Sequence, residues 1–137
     1  MKELAKKSIG NAIGFIIVII LGLVMLFLKQ ANSMLPFYGV VIVIIGAIFL
    51  IHYISIPKVM ISLNDKNQIL IHNNNTLLNI SDITDVSYRQ DTGKGIKYKF
   101  GTIMIRSTKG DFKFRYVRDC ERTAKDILEI INKNKTR

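Results

Sequence analysis

The fold of this chain is decided by two uncharged stretches, SIGNAIGFIIVIILGLVMLFL at residues 8–28 and QANSMLPFYGVVIVIIGAIFLIHYISIP at residues 30–57, which only Lys29 separates. Hydrocarbon offers backbone groups no hydrogen-bond partner, so an apolar run of roughly 20 residues crosses a bilayer as a helix. Two such runs predict a transmembrane helical hairpin over residues 1–57, with helices at about 9–28 and 35–56. Residues 58–137 are expected to form a domain on one side of the membrane.

The distribution of lysines predicts how the hairpin is oriented. Three lysines precede the first helix and Lys58 follows the second, whereas the connection between the helices contains only Lys29. By the positive-inside rule we expect a multi-pass protein of the cell membrane with both termini in the cytoplasm. A cleavable signal peptide is the alternative, because a basic start, an apolar run and the small residues at 31–33 also fit that pattern.

Glycines in both helices predict where the helices pack. Lipid provides no hydrophobic drive for helix association, so small residues that allow close backbone approach mark packing surfaces. The candidate helix-packing residues are Gly10, Gly14, Gly22, Gly39 and Gly46. They fit either a seam within one chain or a homodimer contact.

His52 has no Asp, Glu, Lys or Arg partner in either span, which favours an interfacial histidine over a proton relay.

After Pro57 the sequence changes to short alternating segments punctuated by Asn, Asp and Gly, which is typical of an antiparallel sheet. Six strands are predicted, at residues 59–63, 68–72, 77–80, 85–89, 98–107 and 111–116. A helix is predicted at about 119–133, with Asp119 as N-cap and an apolar stripe of Cys120, Ala124, Ile127, Leu128 and Ile131. The stripe is expected to cover the sheet face that carries Ile103, Ile105, Phe112 and Phe114. The predicted fold is therefore an α+β membrane protein, with a curved sheet or partly open barrel capped by the C-terminal helix.

Three segments carry a resemblance to a known family: ISDITDV at 80–86, FGTIMI at 100–105 and KGDF at 109–112. Together with the strand order and the closing helix, they resemble the bacterial pleckstrin-homology-like (PH-like) domain family, many members of which place this domain after a pair of membrane helices. The resemblance covers about residues 58–133. It implies seven strands and a C-terminal helix, so a seventh strand is expected within residues 76–100. The family has no agreed catalytic residues, and the resemblance implies none here.

The side chains that catalysis requires are not grouped in this sequence. Cys120 falls on the apolar stripe, which favours packing over reactivity. His52 and His72 lie in different media, and no Cys/His spacing resembles a zinc site. Asp82 and Asp85 flank a strand start, where turn and cap roles are common. We therefore expect no enzyme activity, no metal and no cofactor.

A basic cluster is the positive functional signal of the sequence. The candidate residues for binding a lipid or a partner are Lys94, Lys97, Lys99, Arg106, Lys109, Lys113 and Arg115, with Arg118 and Arg122 nearby. Residues 58–137 carry sixteen Lys or Arg residues against nine Asp or Glu residues, a net charge of +7. Anionic lipids of the inner leaflet attract such groups when they lie within a Debye length of the surface.

These patterns predict a membrane-anchored PH-like interaction module that is non-catalytic and binds anionic lipid headgroups or a protein partner through a basic face. A homo-oligomer is a further option, and no nucleic acid partner is expected because the domain is tethered to a membrane. The family resemblance also implies an alternative, a bacteriocin immunity or self-protection protein. A structural subunit of a membrane complex is the other alternative.

Overall fold

A computed structural model describes residues 1–28 and 34–136 of the chain. These residues fall into two compact units, one formed by Ile9–Ile56 and the other by Met1–Ser8 together with Pro57–Arg137. Lys29 and the small residues at 31–33, on which part of the predicted orientation and the signal-peptide alternative depend, lie outside the described residues.

The first unit consists of two helices, α1 (Ile9–Phe27) and α2 (Leu35–Ser55), which end within one residue of the predicted bounds. At a rise of 1.5 Å per residue they are about 28 and 32 Å long, close to the thickness of the hydrocarbon core. Their most apolar windows are only 6% and 17% buried, so neither helix is covered by the rest of the described chain. Both helices are long and apolar enough to cross a membrane.

The second unit contains two antiparallel sheets and a helix. The first sheet has the order β1 (Lys2–Lys6), β2 (Val59–Leu63), β3 (Gln68–Ile71) and β4 (Thr76–Asn79). The second sheet has the order β5 (Ile83–Gly93), β6 (Ile96–Ser107) and β7 (Gly110–Val117). A short 3₁₀ turn at Ile80–Asp82 joins the sheets, and α3 (Cys120–Lys135) closes the chain.

The seventh strand is β1, so the expectation of a seventh strand within residues 76–100 is wrong. Strand β1 pairs antiparallel with β2, from Lys2 opposite Leu63 to Lys6 opposite Val59. Its Ala5 is completely buried. The division at residue 57 therefore differs from the structure, in which residues 1–8 belong to the second unit. The pairing has a physical reason, since without β1 the edge of β2 would present unpaired backbone groups.

The other six strands occur where they were predicted, and β5 differs most because it extends to Gly93. Its polar end pairs with the start of β6, with Thr92 opposite Lys97 and Gly93 opposite Ile96. Strand β7 ends at Val117, opposite Gly101. Beyond this point only β5 and β6 are paired, through residues 96 and 97 of β6, while residues 98–100 lie where the register of the pair shifts. The two strands therefore extend beyond β7 as a two-stranded hairpin.

The core of the second unit includes the buried face of α3, formed by Cys120, Thr123, Ala124, Ile127 and Ile131. The helix packs mainly on β5 and β6 and also contacts β1. Ile103, Ile105 and Phe114 of the second sheet are buried as predicted, whereas Leu128 of the predicted stripe and Phe112 are only half-buried. Asp119 precedes the helix, but its side chain makes no capping hydrogen bond and its φ is +48°. Side-chain caps usually form from extended backbone. In its left-handed conformation Asp119 turns the chain from β7 into α3 and does not cap the helix as predicted.

Candidate functional site

The seven basic residues predicted to form one binding face are divided among three places. Arg106, Lys113 and Arg115 lie on the outer face of the second sheet, and we call them the outer-face group. This face is set by the register, in which Lys113 is opposite Met104, two residues from Arg106. Lys109 lies in the turn between β6 and β7. The remaining residues, Lys94, Lys97 and Lys99, lie at the far end of the β5–β6 hairpin.

Carboxylates offset part of the charge of the outer-face group. In the register of the sheet, Arg106 is directly opposite Asp85 of β5 and Asp111 of β7. At the neighbouring turn, Lys109 Nζ lies 3.7 Å from Asp82 Oδ2. Opposite charges at facing positions of a sheet attract each other and reduce the net field of the surface. The end of the sheet near the β6–β7 turn is therefore mixed in charge.

The outer face also carries an open concavity of about 590 Å³. It is lined by Ser87, Arg89, Gln90, Asp91, Thr92, Thr102, Met104 and Lys113. Arg89 and Lys113 supply two positive charges and three side-chain hydroxyls supply donors, whereas Asp91 opposes an anion. The sequence analysis missed Arg89, because nothing in the sequence places it beside a lysine 24 positions later.

The end of the β5–β6 hairpin, residues 92–99, combines exposed apolar and basic side chains, and we call it the tip. Ile96 is 60% exposed and Tyr98 is 41% exposed. The Tyr98 ring stacks on Phe100, with 5.1 Å between ring centroids and 12° between ring planes. The three predicted lysines lie within these residues. Carboxylates of the α3 region lie near two of them: Lys99 lines an open concavity together with Asp119, Glu121 and Asp126, and the pKa of the Glu121 carboxyl is lowered by Lys125 and, less strongly, by Lys97.

A second group of basic residues lies where the chain leaves the second unit for α1 and returns to it from α2. The Lys7 N–H donates to the Lys58 carbonyl at 3.0 Å, and the Ser8 N–H donates to the Tyr116 carbonyl at 2.7 Å. The Arg118 N–H donates to the Lys6 carbonyl at 2.8 Å, which ties the end of β7 to the same place. We call this region, residues 6–8, 57–58 and 116–118, the helix-proximal rim.

The rim is predominantly basic. Lys58 and Arg118 are exposed and form no ion pair within residues 1–28 and 34–136. Lys6 Nζ lies 2.5 Å from Glu3 Oε2, and this contact lowers the pKa of the Glu3 carboxyl. Partial burial lowers the pKa of the Lys7 ammonium. The sequence analysis did not connect these lysines with Arg118, because the contact depends on the pairing of β1.

Three of the five candidate helix-packing glycines lie between α1 and α2. A Cβ atom on Gly22 would lie 2.8 Å from Val43 Cγ2, and one on Gly46 would lie 2.8 Å from Ile19 Cγ1. A Cβ atom on Gly39 would lie 2.9 Å from the Gly22 carbonyl oxygen. These contacts form an intrachain seam. In contrast, Gly10 and Gly14 are exposed, and a Cβ atom on Gly14 would meet nothing within 4 Å.

One hydroxyl–imidazole pair occurs that the sequence analysis missed. Ser62 Oγ lies 2.8 Å from His72 Nε2 across the β2–β3 pair. Only 2% of Ser62 is exposed, so its hydroxyl is not accessible to a substrate, and the hydrogen bond links the neighbouring strands of the sheet.

Cys120 is completely buried, and burial raises the pKa of its thiol, which disfavours the reactive thiolate. Residues 1–28 and 34–136 contain no group of three His, Cys, Asp or Glu side chains arranged to hold a metal.

No protein-family model, no curated protein and no solved structure matches the chain. The arrangement that the structure establishes is an α+β chain with two long apolar helices, antiparallel sheets and a C-terminal helix. The PH-like assignment therefore continues to depend on the sequence segments and the order of elements.

Proposed function

We propose that the chain is an integral protein of the bacterial cell membrane, in which a two-helix hairpin anchors a non-catalytic PH-like module at the cytoplasmic surface. The module binds anionic ligands through its basic residues, and the lipid headgroups beside it are the nearest such ligand. Under this proposal the unit formed by Met1–Ser8 and Pro57–Arg137 lies outside the membrane, and we call it the soluble unit. Nineteen of the twenty Lys and Arg residues and all ten Asp and Glu residues lie in it, which gives it a net charge of +9. This charge supports an anionic ligand.

The pairing of β1 with β2 is the observation that carries the proposal. The two strands flank the helical hairpin in the chain, and they are hydrogen-bonded neighbours in one sheet. Both ends of the hairpin must therefore return to the same soluble unit. A chain that crosses a membrane between β1 and β2 must cross it an even number of times, which supports two crossings with both termini on one side.

The same pairing weighs against the signal-peptide alternative. Cleavage near residue 33 would remove β1 and its buried Ala5 from the sheet. The edge of β2 would then be open. All three backbone hydrogen bonds of the rim would be lost, because each of them involves one of residues 6–8. Removal of β1 would therefore destabilise the soluble unit.

Three features support the PH-like assignment and the cytoplasmic orientation. Residues 58–133 form six strands and a closing helix, and β1, which precedes the helices, brings the number of strands to the seven that the family resemblance implies. The exposed apolar surfaces of α1 and α2 require lipid or another protein to cover them. The rim lysines lie at the helix ends that connect to the soluble unit, where the positive-inside rule expects an excess of basic residues on the cytoplasmic side.

Cysteine labelling in intact cells tests this topology. In a Cys120→Ser background, a membrane-impermeant maleimide should label Met34→Cys, which lies just before α2, and should not label Lys109→Cys. After permeabilisation, both positions should react. Labelling of Lys109→Cys in intact cells would overturn the cytoplasmic placement. Release of the chain from membranes by alkaline carbonate would overturn the membrane anchor.

A further inference from the structure

The tip has the composition of a segment that contacts a charged, partly apolar surface. Ile96 and Tyr98 expose apolar area, and Lys94, Lys97 and Lys99 place three positive charges around it, with Glu121 of α3 near Lys97 and Lys99. An aromatic side chain with a polar end is suited to the boundary between headgroups and hydrocarbon. A solvated turn needs neither the exposed isoleucine nor the stacked aromatic pair.

The tip begins at the end of the sheet from which the membrane helices depart. Its base is formed by Gly101 opposite Val117, and Val117 is bridged to Lys7. Lys7 is two residues from the start of α1, so the base of the tip is close along the chain to the point where α1 begins. Ile96 is five residues beyond the base, or about 17 Å along the strand. The β6–β7 turn lies at the opposite end, about 20 Å from the base along β6.

We propose that the tip docks on the anionic membrane surface, with Ile96 and Tyr98 inserted among the headgroups and the three lysines bound to lipid phosphates. The inference rests on the proposed function, because it requires α1 and α2 to cross the bilayer. It assigns the lipid contact to Lys94, Lys97 and Lys99. The outer-face group has two aspartates opposite Arg106 and lacks the exposed apolar side chains of the tip.

Single tryptophan reporters test the proposal, because the chain contains no Trp. Tyr98→Trp keeps an aromatic ring to stack on Phe100 and reports on the tip. Thr108→Trp, in the β6–β7 turn, reports on the opposite end of the sheet. Ile45→Trp, on α2, reports on the anchor. Each full-length variant is reconstituted into phosphatidylcholine vesicles with and without 30% phosphatidylglycerol, and lipids brominated near the headgroup or deep in the acyl chain serve as quenchers.

The expected result is that shallow bromines quench Tyr98→Trp in vesicles containing phosphatidylglycerol, with a blue-shifted emission, while Thr108→Trp is not quenched. Deep bromines should quench Ile45→Trp in both kinds of vesicle. If Ile45→Trp is not quenched, the membrane anchor fails and the proposed function fails with it. If Ile45→Trp is quenched while Tyr98→Trp stays in water, the anchor stands, the tip proposal is overturned, and an acidic protein becomes the ligand to seek.

Removal of charge provides the matched control. Each basic residue at an anionic surface raises affinity roughly fivefold, so K94Q/K97Q/K99Q should lower the ratio of docked to free tip roughly 100-fold. R106Q/K109Q/K113Q removes the same number of charges from the opposite end and should leave the quenching of Tyr98→Trp unchanged. Equal effects of the two triple variants would show that the net charge of the unit, and not the tip, determines docking, and would overturn the proposal.

Discussion

Replacing Ala5 by aspartate tests the most consequential feature of the fold, the inclusion of β1 in the soluble unit. The Ala5 side chain is 0% exposed, so an aspartate there must be held uncharged or be buried as an ion. Keeping a carboxyl with an ordinary pKa of about 3.9 protonated at pH 7 costs about 4 kcal/mol, and at pH 5 the cost falls to about 1.5 kcal/mol. Small domains are stable by roughly 5–15 kcal/mol, so the loss at pH 7 is a large share of the total.

The sign of the pH dependence follows from proton linkage. The native carboxyl retains a proton that the unfolded chain releases, so the destabilisation grows as the pH rises above about 4 and disappears below it. Urea unfolding of the full chain in an uncharged detergent, followed by circular dichroism, measures the effect. Ala5→Asn is the matched control, because it has the same shape and does not titrate.

Relative to Ala5→Asn, the aspartate variant should lose about 2.7 kcal/mol more at pH 7 than at pH 5. The reasoning is refuted if the two variants differ in free energy of unfolding by the same amount at pH 5 and pH 7. It is also refuted if the aspartate variant is as stable as the unmodified chain. Such a result would mean that residues 1–8 lie outside the sheet, as the division of the sequence at residue 57 assumed.

Three other predictions concern single positions. Gly39→Leu should lower the thermal unfolding temperature in detergent, because its Cβ atom would lie 2.9 Å from the backbone of α1, whereas Gly14→Leu should not. Gly101→Ala should destabilise the β5–β6 pair by roughly 3 kcal/mol or more in urea unfolding, since its methyl group would overlap the Arg89 carbonyl oxygen. A maleimide should leave Cys120 unmodified at pH 8 until urea unfolds the chain, because burial raises the pKa of the thiol; rapid modification of the native chain would contradict this.

The parts of the fold that local patterns determine were predictable from the sequence. Continuous apolar runs predicted α1 and α2, and the spacing of Cys120, Ala124, Ile127 and Ile131 predicted the buried face of α3. Strand β1 was not predictable in this way. Its sequence, KELAK, contains two apolar residues among three charges, and its partner β2 lies more than 50 positions further along the chain. The free edge of β2, and not the pattern of the segment itself, makes these residues a strand.

For the candidate site, the sequence gives the number of basic residues but not their arrangement in space. The basic residues between Lys94 and Arg115 are clustered in sequence, and from this we inferred one binding face. The register places Arg106 between two aspartates and separates it from the tip lysines by the length of β6. Which cations act together depends on the pairing of strands and on where β7 ends, and neither can be read from the positions of the charges alone.

The insertion of two helices between β1 and β2 also fixes an order of events during synthesis. The ribosome makes β1 first, but its pairing partner, Val59–Leu63, follows only after both helices have been translated. At the usual 5–20 residues per second, the N-terminal segment waits several seconds at least for that partner. The sheet can therefore close only after both helices have been made, and until then the edge of β2 stays open to pairing with other chains.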